Sequence, residues 1–539
     1  MKIKSSSFKN YPFTKLFLDY TDWNESIQPF FEFNPFLFSD YKKRIQNIRF
    51  DTDRKDIVSA LTEFNLKYGA NDQTLEKIKK LENADVFTVV TGQQVTLFGG
   101  PLFTIYKIVT AITIADKLTK ELDKVVIPVF WMADEDHDFD EVSSISIPDG
   151  DLCTTYKLNQ ESYIENRVVE KKLNGDFLDL REKIRNALPD TDFSNDLWLL
   201  LDQCYKSGET FGSSFGRLIL KLFGKHGLIL AGSNQESIKK LIIEPLVSSV
   251  KYADDHHKIL QESSEALSKE KYHTQVTVQS SNLFLIGANG SREKLQNSGE
   301  EWYIEGREQS WSSDELISKI ESTPEKLSPN VFLRPIIQNH ILPVISYVAG
   351  PGEIAYYAQM RSYHHQFDIE MPIISPRFSA TLIESSIDRI IGKLPFQLHD
   401  YYGRIEDLEK DFLKQSDSPD LESIFKGWKS SITDHSESPI SKISEIDPTL
   451  KKSADKTVNQ FFTELDKLKG KLYRSVKESE KIQIQRIQRV QNNLYPNRNL
   501  QEREVAFITL MNKYGLNLWD KMINEIRDEE LKTHKIIYL

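Results

Sequence analysis

The chain has 539 residues, 39% of them hydrophobic, so it can bury the cores of several domains and is not intrinsically disordered. Its formal net charge of −11 disfavours nucleic acid as a partner, because nucleic-acid binding needs basic surface. It has two cysteines, no apolar N-terminal signal segment and no apolar run of membrane-spanning length, which predicts a soluble cytoplasmic protein that does not bind membranes.

A strand, a helix and a second strand are predicted between Val86 and Val142. The apolar runs Phe87–Val90 and Val125–Trp131 are typical of strands buried on both faces, and Leu102–Leu122 between them has helical spacing. Two buried strands joined by a helix form a βαβ unit, and ligands bind beyond the carboxyl ends of such strands. Polar clusters follow both strands, so we expect a functional site there.

Polar stretches interrupt this pattern twice, which predicts an α/β fold with a discontinuous Rossmann-like core and two insertions. Further core segments are predicted at Phe211–Phe223, Leu228–Ala231, Leu342–Ala349, Glu353–His365 and Pro372–Ser375. Ser237–Leu267 is predicted as helix, and Thr274–Ala288 and Trp302–Glu305 as short strands separated by a turn at Asn289-Gly290. The predicted domains are 1–149, 211–255 and 331–383 for the core, 150–210 and 256–330 for connective insertions, 384–500 for an α-helical coiled coil and 501–539 for a C-terminal helical segment.

A long helix is predicted from Asp447-Pro448, a favourable N-cap and first helical residue, to just before Pro496. Its roughly 47 residues would span about 70 Å, more than a globular core needs. We therefore predict an antiparallel coiled coil with Ile383–Gln415 that also forms a homodimer through Leu465, Leu468 and Leu472. The alternative is an ordinary helix within a bundle.

The acidic loop, residues 134–141, directly follows the second apolar strand. It begins with Asp134, Glu135, Asp136, His137 and Asp138, whose carboxylates would repel one another unless a cation, a substrate ammonium or water relieves the repulsion. Three roles are open: holding a substrate amine, general-base catalysis by His137 or a carboxylate, and binding Mg²⁺. A solvated acidic loop is the alternative.

Two other turns follow predicted strands. Gln93 and Gln94 lie where backbone N–H groups at a helix N-terminus can hold an anion, and Lys107 follows in that helix. A tight turn and a surface lysine are the alternative. Gly350–Glu353 weakly matches the G-x-G-x-x-A dinucleotide fingerprint. Because Pro351 removes a backbone donor and Glu353 would repel a pyrophosphate, we interpret this turn as a tight loop that directs Glu353 into the pocket.

Three arginines, Arg334, Arg361 and Arg377, lie in the last αβ region. Arg377 directly follows a predicted strand, where a guanidinium can bind a carboxylate with two hydrogen bonds. For each arginine the alternative is a structural ion pair. The sequence has no Walker A, G-x-S-x-G or H-E-x-x-H motif, and no metal site is predicted.

Four motifs in this order resemble the BshC family, the cysteine ligases of bacillithiol biosynthesis. They are Thr91–Gln94, Gly99–Lys107, Phe130–Asp138 and Ala349–Glu353, and Leu500–Arg503 before Tyr514-Gly515 also matches. The resemblance covers essentially the whole chain. It implies a Rossmann-like core of the class I aminoacyl-tRNA synthetase nucleotidyl-transferase type, connective insertions and a dimerising coiled coil, although the HIGH and KMSKS signatures of the synthetases are absent.

The resemblance also implies the last step of bacillithiol biosynthesis, in which cysteine is joined to the amine of glucosaminyl-malate through an amide bond. The implied catalytic residues are His137, Asp136 and Asp134. The implied substrate-binding residues are Gln93, Gln94, Lys107, Trp131, Asp138, Arg334, Gly350, Gly352, Glu353 and Arg377. An adenine nucleotide, ATP or ADP, is expected at Glu384, Ser385, Ser386, Gln491, Asn493 and Arg503. Two alternatives remain open: a scaffold or binding protein with an inactive Rossmann domain, and a metal-dependent hydrolase that uses the acidic loop.

Overall fold

The computed structural model describes residues 2–149, 152–159, 167–287, 290–415 and 421–539. The chain forms two compact units. The larger unit consists of Met1–Asp149, Cys153–Leu382 and Asn499–Leu539, and the helical unit consists mainly of Ile383–Arg498. In the described ranges no helix is both long enough and apolar enough to cross a bilayer.

A five-stranded parallel sheet lies at the centre of the larger unit. Its strands are β1 (Val86–Gln93), β2 (Val125–Met132), β3 (Ile229–Ala231), β4 (Val344–Ala349) and β5 (Ile373–Pro376), in the spatial order β5-β4-β1-β2-β3. The chain moves outward from β1 to β3 on one side and from β4 to β5 on the other. The order therefore reverses between β1 and β4, the point at which open α/β sheets bind ligands. The predicted α/β, Rossmann-like fold is confirmed.

The strands are apolar on both faces because both faces are covered. Val89 and Val348 belong to a smaller hydrophobic cluster that includes Ala111, whereas Val90 and Val129 belong to the main core. Successive residues of a strand therefore pack into opposite layers. This double burial explains why the strands appear in the sequence as continuous apolar runs.

The remaining elements of the larger unit surround this sheet. The α-helices are Lys15–Asp22, Phe38–Asn47, Arg54–Lys67, Asp72–Lys80, Leu102–Leu122, Phe139–Val142, Gly175–Ala187, Ser194–Cys204, Phe211–Phe223, Glu236–Leu241, Ile243–Lys251, Ala253–Lys269, Ser313–Ser322, Leu333–Ile341, Pro351–Tyr357, Arg361–His365, Gln501–Glu504, Phe507–Tyr514 and Leu518–Glu525. The other strands are Lys2–Ser6, Ser144–Asp149, Leu152–Lys157, Leu283–Ile286, Arg292–Lys294, Gln296–Asn297, Trp302–Tyr303, Ser310–Trp311, Leu327–Pro329, Ala380–Ile383 and His534–Tyr538.

Several predicted elements are shorter than expected. The helix predicted over Ser237–Leu267 is three helices, and Pro245 lies in the first turn of the second one, where a proline cannot continue a preceding helix. Of the described residues in the segment Thr274–Ala288, which is predicted as strand, only Leu283–Ile286 form one. Asn289, the first residue of the predicted turn, lies outside the described residues.

The helical unit contains Ser385–Ile391, Ile405–Gln415, Leu421–Ile446, Lys451–Ser479 and Lys481–Leu494. The single long helix predicted up to Pro496 is wrong, because the helix ends at Ser479 and a second one starts at Lys481. The predicted pairing with Ile383–Gln415 is confirmed only for the C-terminal part of the predicted long helix, because Lys481–Leu494 packs against Ile405–Gln415. The longer part, Lys451–Ser479, packs against Leu421–Ile446 instead.

The turn at Asp447-Pro448 explains this pairing. It joins Leu421–Ile446 to Lys451–Ser479 through a short connection, so the two helices form an antiparallel hairpin. Ion pairs between Lys429 and Asp466 and between Lys469 and Glu422, each at 2.7 Å, cross the hairpin. The Leu421–Ile446 helix is difficult to recognise in the sequence because the segment is mostly polar and contains Pro439.

Candidate active site

Lys107 and Glu353 form a buried ion pair at the switch point between β1 and β4. The Lys107 ammonium lies 2.5 Å from Glu353 and donates hydrogen bonds to the Gly92 carbonyl, at 2.8 Å, and to the Gln93 side chain, at 3.1 Å. Only 3% of Lys107 is exposed, so the alternative of a surface lysine is wrong. Burial lowers the pKa of Lys107, and the charge of Glu353 opposes this effect.

Glu353 also closes the turn after β4. Its carboxylate accepts hydrogen bonds from the Gly350 N–H and the Tyr347 hydroxyl, both at 2.8 Å. The first of these is the hydrogen bond of a capping box, in which the third residue of a helix bonds back to the N-cap residue. Gly350–Glu353 is therefore a capped helix start that directs Glu353 towards Lys107.

The N-terminus of the Leu102–Leu122 helix is covered by the chain itself. The Leu102 N–H donates to the Val505 carbonyl at 3.0 Å, and the Phe507 ring fills the space beside Gly99. Gly99 has a φ of +82°, and a Cβ there would lie 2.1 Å from that ring. The first N–H of this helix thus donates to a protein carbonyl, at the helix end where the sequence suggested a bound anion.

Arg377 follows β5 directly and is buried. Its guanidinium lies 2.5 Å from Glu502 and donates to the Phe378 carbonyl at 2.9 Å. It lies 5.7 Å from the centre of the Phe103 ring, and the Arg503 guanidinium lies 5.9 Å from the same ring. Both contacts are within the range of cation–π attraction.

A cavity of about 420 Å³ lies beside Arg377. We call it the basic cavity, because its described lining contains Lys15, Lys271, Arg377 and Arg503, and Glu502 as its one acidic side chain. The other lining residues are Pro12, Phe13, Thr14, Leu16, His273, Gln275, Pro351, Gly352, Ala355, Asn499 and Leu500. Since Glu502 is paired with Arg377, the cavity has a net positive charge in a chain of net charge −11. Such a cavity suits an anionic ligand.

The first two carboxylates of the acidic loop point into the protein. Asp134 accepts hydrogen bonds from the Ser233 and Asn234 N–H groups, at 3.0 and 3.1 Å, and Glu135 lies 2.5 Å from Lys239. Burial, together with the nearby Glu135 charge, raises the pKa of Asp134 to about 7. The structure therefore places Asp134 in the interior rather than on the basic cavity.

Asp136 is held between two guanidinium groups. It lies 2.7 Å from Arg334 and 3.6 Å from Arg292, and it also bonds with the Gln94 side chain. Burial alone would raise the pKa of Asp136, but the charges of Arg334 and Arg292 outweigh it and lower the pKa below its ordinary value. The cations that relieve repulsion in the acidic loop are thus the protein's own side chains, including Lys239.

His137 has a carbonyl oxygen beside each ring nitrogen, Glu135 at 3.0 Å and Gly290 at 2.8 Å. Burial lowers the pKa of His137, so the neutral ring, which has one N–H, predominates near pH 7. The ring nitrogen that has no proton therefore faces a backbone carbonyl oxygen, which cannot donate to it. Asp138 is exposed and caps the short helix after it, and Trp131 is buried with no hydrogen-bond partner for its indole N–H among the described residues.

The Lys107–Glu353 pair and the Asp136–Arg334 pair are connected through Gln93-Gln94 and through Tyr356. Gln93 contacts Lys107, whereas Gln94 contacts Asp136. Tyr356 interacts electrostatically with both Glu353 and Arg334, and its hydroxyl bonds with that of Tyr347. The structure therefore brings together Gln93, Gln94, Lys107, Asp136, Arg334, Gly350 and Glu353, with Gly352 and Arg377 on the adjoining cavity.

Sequence reasoning missed four residues of this site, namely Arg292, Tyr347, Tyr356 and Glu502. Arg292 comes from an insertion, and no pattern connects it with the acidic loop. Glu502 lies within the Leu500–Arg503 motif, so the signal was present but was not assigned a role. In the described ranges no three His, Cys, Asp or Glu side chains are grouped so that they could hold a metal ion.

The residues predicted to bind a nucleotide lie in both units. Glu384 precedes the helix that starts with Ser385 and Ser386, and this helix packs on Lys481–Leu494. Gln491 and Asn493 lie on that second helix, where Gln491 donates to the Tyr401 and Gly403 carbonyls at 3.0 and 2.9 Å. Arg503 belongs to the larger unit and lines the basic cavity.

Comparison with known proteins gives consistent matches over the whole chain. Residues 1–378 match the family model "Bacillithiol biosynthesis BshC, N-terminal Rossmann-like domain", and residues 380–539 match "Bacillithiol biosynthesis BshC, C-terminal coiled-coil domain". A protein of Chlorobaculum tepidum described as "Putative cysteine ligase BshC" is 30% identical, over 98% of this chain and 97% of the relative. Proteins with the same description from Bacillus cereus and Salinibacter ruber are each 28% identical, over 96% and 90% of this chain and 97% and 89% of the relatives.

Proposed function

This chain belongs to the BshC family of bacillithiol biosynthesis, and from that premise we propose that it catalyses the final ligation of the pathway. In the proposed reaction a carboxyl C–O bond of cysteine is broken and a C–N bond to the amine of glucosaminyl-malate is formed, which releases the elements of water and gives the amide bacillithiol. The description of the relatives as cysteine ligases supports cysteine as one substrate.

The basic cavity is the feature that best supports glucosaminyl-malate as the second substrate. Malate contributes two carboxylates to glucosaminyl-malate, and the cavity offers Arg377 and the positive charge of Arg503 and Lys271 to bind them, whereas Lys15 is paired with Asp19 at 2.7 Å. The cavity adjoins Gly352, and thus the carboxyl end of β4, where the Lys107–Glu353 pair lies. A dicarboxylate held there would leave the glucosamine amine near the switch point.

Amide formation also requires an attacking amine that has lost its proton. His137 is our candidate for the base, because its ring is neutral and the nitrogen that has no proton can accept one once the substrate amine displaces the carbonyl oxygen beside it. Asp136 stays ionised because of its lowered pKa, and we assign it, with Glu353, to hold the ammonium of cysteine. Arg334 keeps Asp136 in place.

Mass spectrometry of a reaction with cysteine, glucosaminyl-malate and ATP tests the proposal. We expect the mass of bacillithiol to appear only when both substrates and active protein are present. Binding of glucosaminyl-malate without formation of bacillithiol would favour the scaffold alternative. Cleavage of a substrate that depends on added metal and gives no bacillithiol would favour the hydrolase.

We expect an adenine nucleotide to bind the helical unit, at the start of the Ser385–Ile391 helix and on Lys481–Leu494. The family resemblance motivates this prediction, and the N–H groups at a helix start suit phosphate oxygens. Titration calorimetry with ADP and with ATP should show saturable binding that weakens in a Gln491→Ala variant. Unchanged heats on addition of either nucleotide to the wild type would contradict the prediction.

We also predict a homodimer formed through the helical hairpin. Leu465 is only 7% exposed and packs inside the hairpin, so it is not available to a second chain. Leu468 and Leu472, in contrast, are 46% and 38% exposed, and Trp428 and Phe461 are more exposed still. Apolar side chains this exposed on paired helices favour contact with another copy of the same hairpin.

A Leu468→Glu, Leu472→Glu variant should therefore have a lower mass in light scattering, approaching the 62.4 kDa of one chain. The control is Leu199→Glu, which changes a leucine that is 61% exposed on a helix of the larger unit and should leave the mass unchanged. A wild type that is monomeric at micromolar concentration would rule out the dimer.

A further inference from the structure

Glu502 is fully buried at the wall of the basic cavity. One carboxylate oxygen lies 2.5 Å from the Arg377 guanidinium, and the other accepts the Ala380 N–H at 3.1 Å. The Ser379 hydroxyl lies 3.1 and 3.0 Å from the two oxygens. Burial by itself would raise the pKa of Glu502, but the Arg377 charge and the hydrogen bonds from Arg377 and Ser379 together outweigh burial and lower the pKa, so this carboxylate is ionised.

His534 fixes the direction of the Ser379 hydroxyl. Its Nδ1 lies 2.8 Å from the Ser379 Oγ, and its Nε2 lies 2.8 Å from the Thr381 Oγ1. Burial lowers the pKa of His534 to about 4, so the ring is neutral and has one N–H. Because the single hydroxyl hydrogen of Ser379 is directed to Glu502, Nδ1 donates to Ser379 and Nε2 accepts from Thr381.

Arg377 is buried, and Glu502 is its one ion-pair partner among the described residues. Apart from Glu502, its guanidinium donates to the Phe378 carbonyl and lies on the Phe103 ring. A free arginine side chain has several rotatable bonds, so holding it in one orientation before the ligand arrives lowers the entropy cost of binding.

From this arrangement we infer that Glu502, supported by Ser379 and His534, is a positioning residue that holds the Arg377 guanidinium ready for a carboxylate in the basic cavity. The inference rests on the proposed function, because it takes the ligand to be the dicarboxylate end of glucosaminyl-malate. Neither Glu502 nor His534 needs to contact that ligand for this role.

A Glu502→Gln variant keeps the shape of the side chain and removes its charge. We expect the KM for glucosaminyl-malate to rise about tenfold, with kcat and the KM for cysteine within about twofold of wild type, as lost ground-state binding predicts. Ser379→Ala, which leaves the buried ion pair intact, should raise the same KM by about threefold. If Glu502→Gln folds poorly, Ser379→Ala still tests the inference.

Two comparisons separate positioning from a general loss of stability. Adding Glu502→Gln to an Arg377→Lys variant should raise the KM little further, because residues that act through one another are not additive. The matched control is Glu370→Gln, which removes the acidic partner of the buried Arg44, lies outside the basic cavity and should leave every KM unchanged.

Calorimetry with malate alone provides a readout that does not depend on turnover. We expect the wild type to bind malate and Glu502→Gln to bind it about tenfold more weakly. Equal affinity of the two proteins, or no binding by the wild type at millimolar malate, would overturn the inference. A wild type that binds malate but forms no bacillithiol would overturn the proposed function alone.

Discussion

An Asp136→Asn variant is expected to lose about 100-fold or more in turnover and to unfold at a lower temperature than the wild type. Asp136 neutralises Arg334 and Arg292, and removing one partner of a largely buried ion pair costs about 3 kcal/mol. From the sequence alone the opposite effect on stability is expected, since removing a carboxylate from an acidic loop should ease repulsion. That expectation is wrong because the nearest charges to Asp136 are cations.

The pH dependence of this effect follows from the lowered pKa of Asp136. A carboxylate whose pKa is lower in the folded protein stabilises it above the unfolded pKa of about 3.9, and loses that effect as pH falls through the folded value. The difference in thermal midpoint between wild type and Asp136→Asn should therefore be constant from about pH 5 to 8 and should shrink in stronger acid.

Thermal midpoints and initial rates should be measured on the same preparations. Glu141→Gln, at an exposed position of the same loop, is the control for stability and should unfold close to the wild type. A variant of Asp136 with normal turnover and an unchanged midpoint would remove the acidic loop from the mechanism.

An Arg377→Lys variant is expected to raise the KM for glucosaminyl-malate about 30-fold, with a much smaller change in kcat. Lysine keeps a positive charge opposite Glu502, which protects the fold, but it lacks the planar fork that binds a carboxylate with two hydrogen bonds. One lost hydrogen bond to a charged group costs about 1.5–3 kcal/mol, which corresponds to a change of about 10- to 150-fold.

The control for this experiment is Arg361→Lys. Arg361 pairs with Glu32 at 2.6 Å and does not line the basic cavity, so its substitution should leave the KM unchanged. Steady-state kinetics with each substrate varied in turn gives the KM for each substrate in the two variants. An unchanged KM for Arg377→Lys would mean that the dicarboxylate binds elsewhere.

Much of the sheet could be predicted from the sequence, because a strand buried on both faces must be apolar throughout. The Leu102–Leu122 helix has the bounds that were predicted from its spacing. The carboxyl ends of β2, β4 and β5 agree with the prediction to within one residue, whereas β1 continues three residues past the predicted end at Val90, to Gln93.

The partners of these residues could not be predicted, because they depend on how distant segments pack. Arg292 and Lys239, which neutralise the acidic loop, lie about 100 or more residues beyond it in the chain, and no local pattern relates them to it. Glu502 reaches Arg377 only because the chain returns to the larger unit after the helical unit. In the helical hairpin, the mostly polar sequence of Leu421–Ile446 conceals a helix, so the predicted partner is wrong for Lys451–Ser479.

The order of strands in the central sheet also has a consequence for the speed of folding. Strand β4 pairs with β1, which precedes it by about 250 residues, so a very long loop must close before the switch point exists. Folding rates fall as the sequence separation of contacting residues grows, and parallel pairing of this kind is slow. We therefore expect refolding from denaturant to be slow, with exposed β1 and β2 strands that aggregate readily unless the chain is dilute or a chaperone protects it.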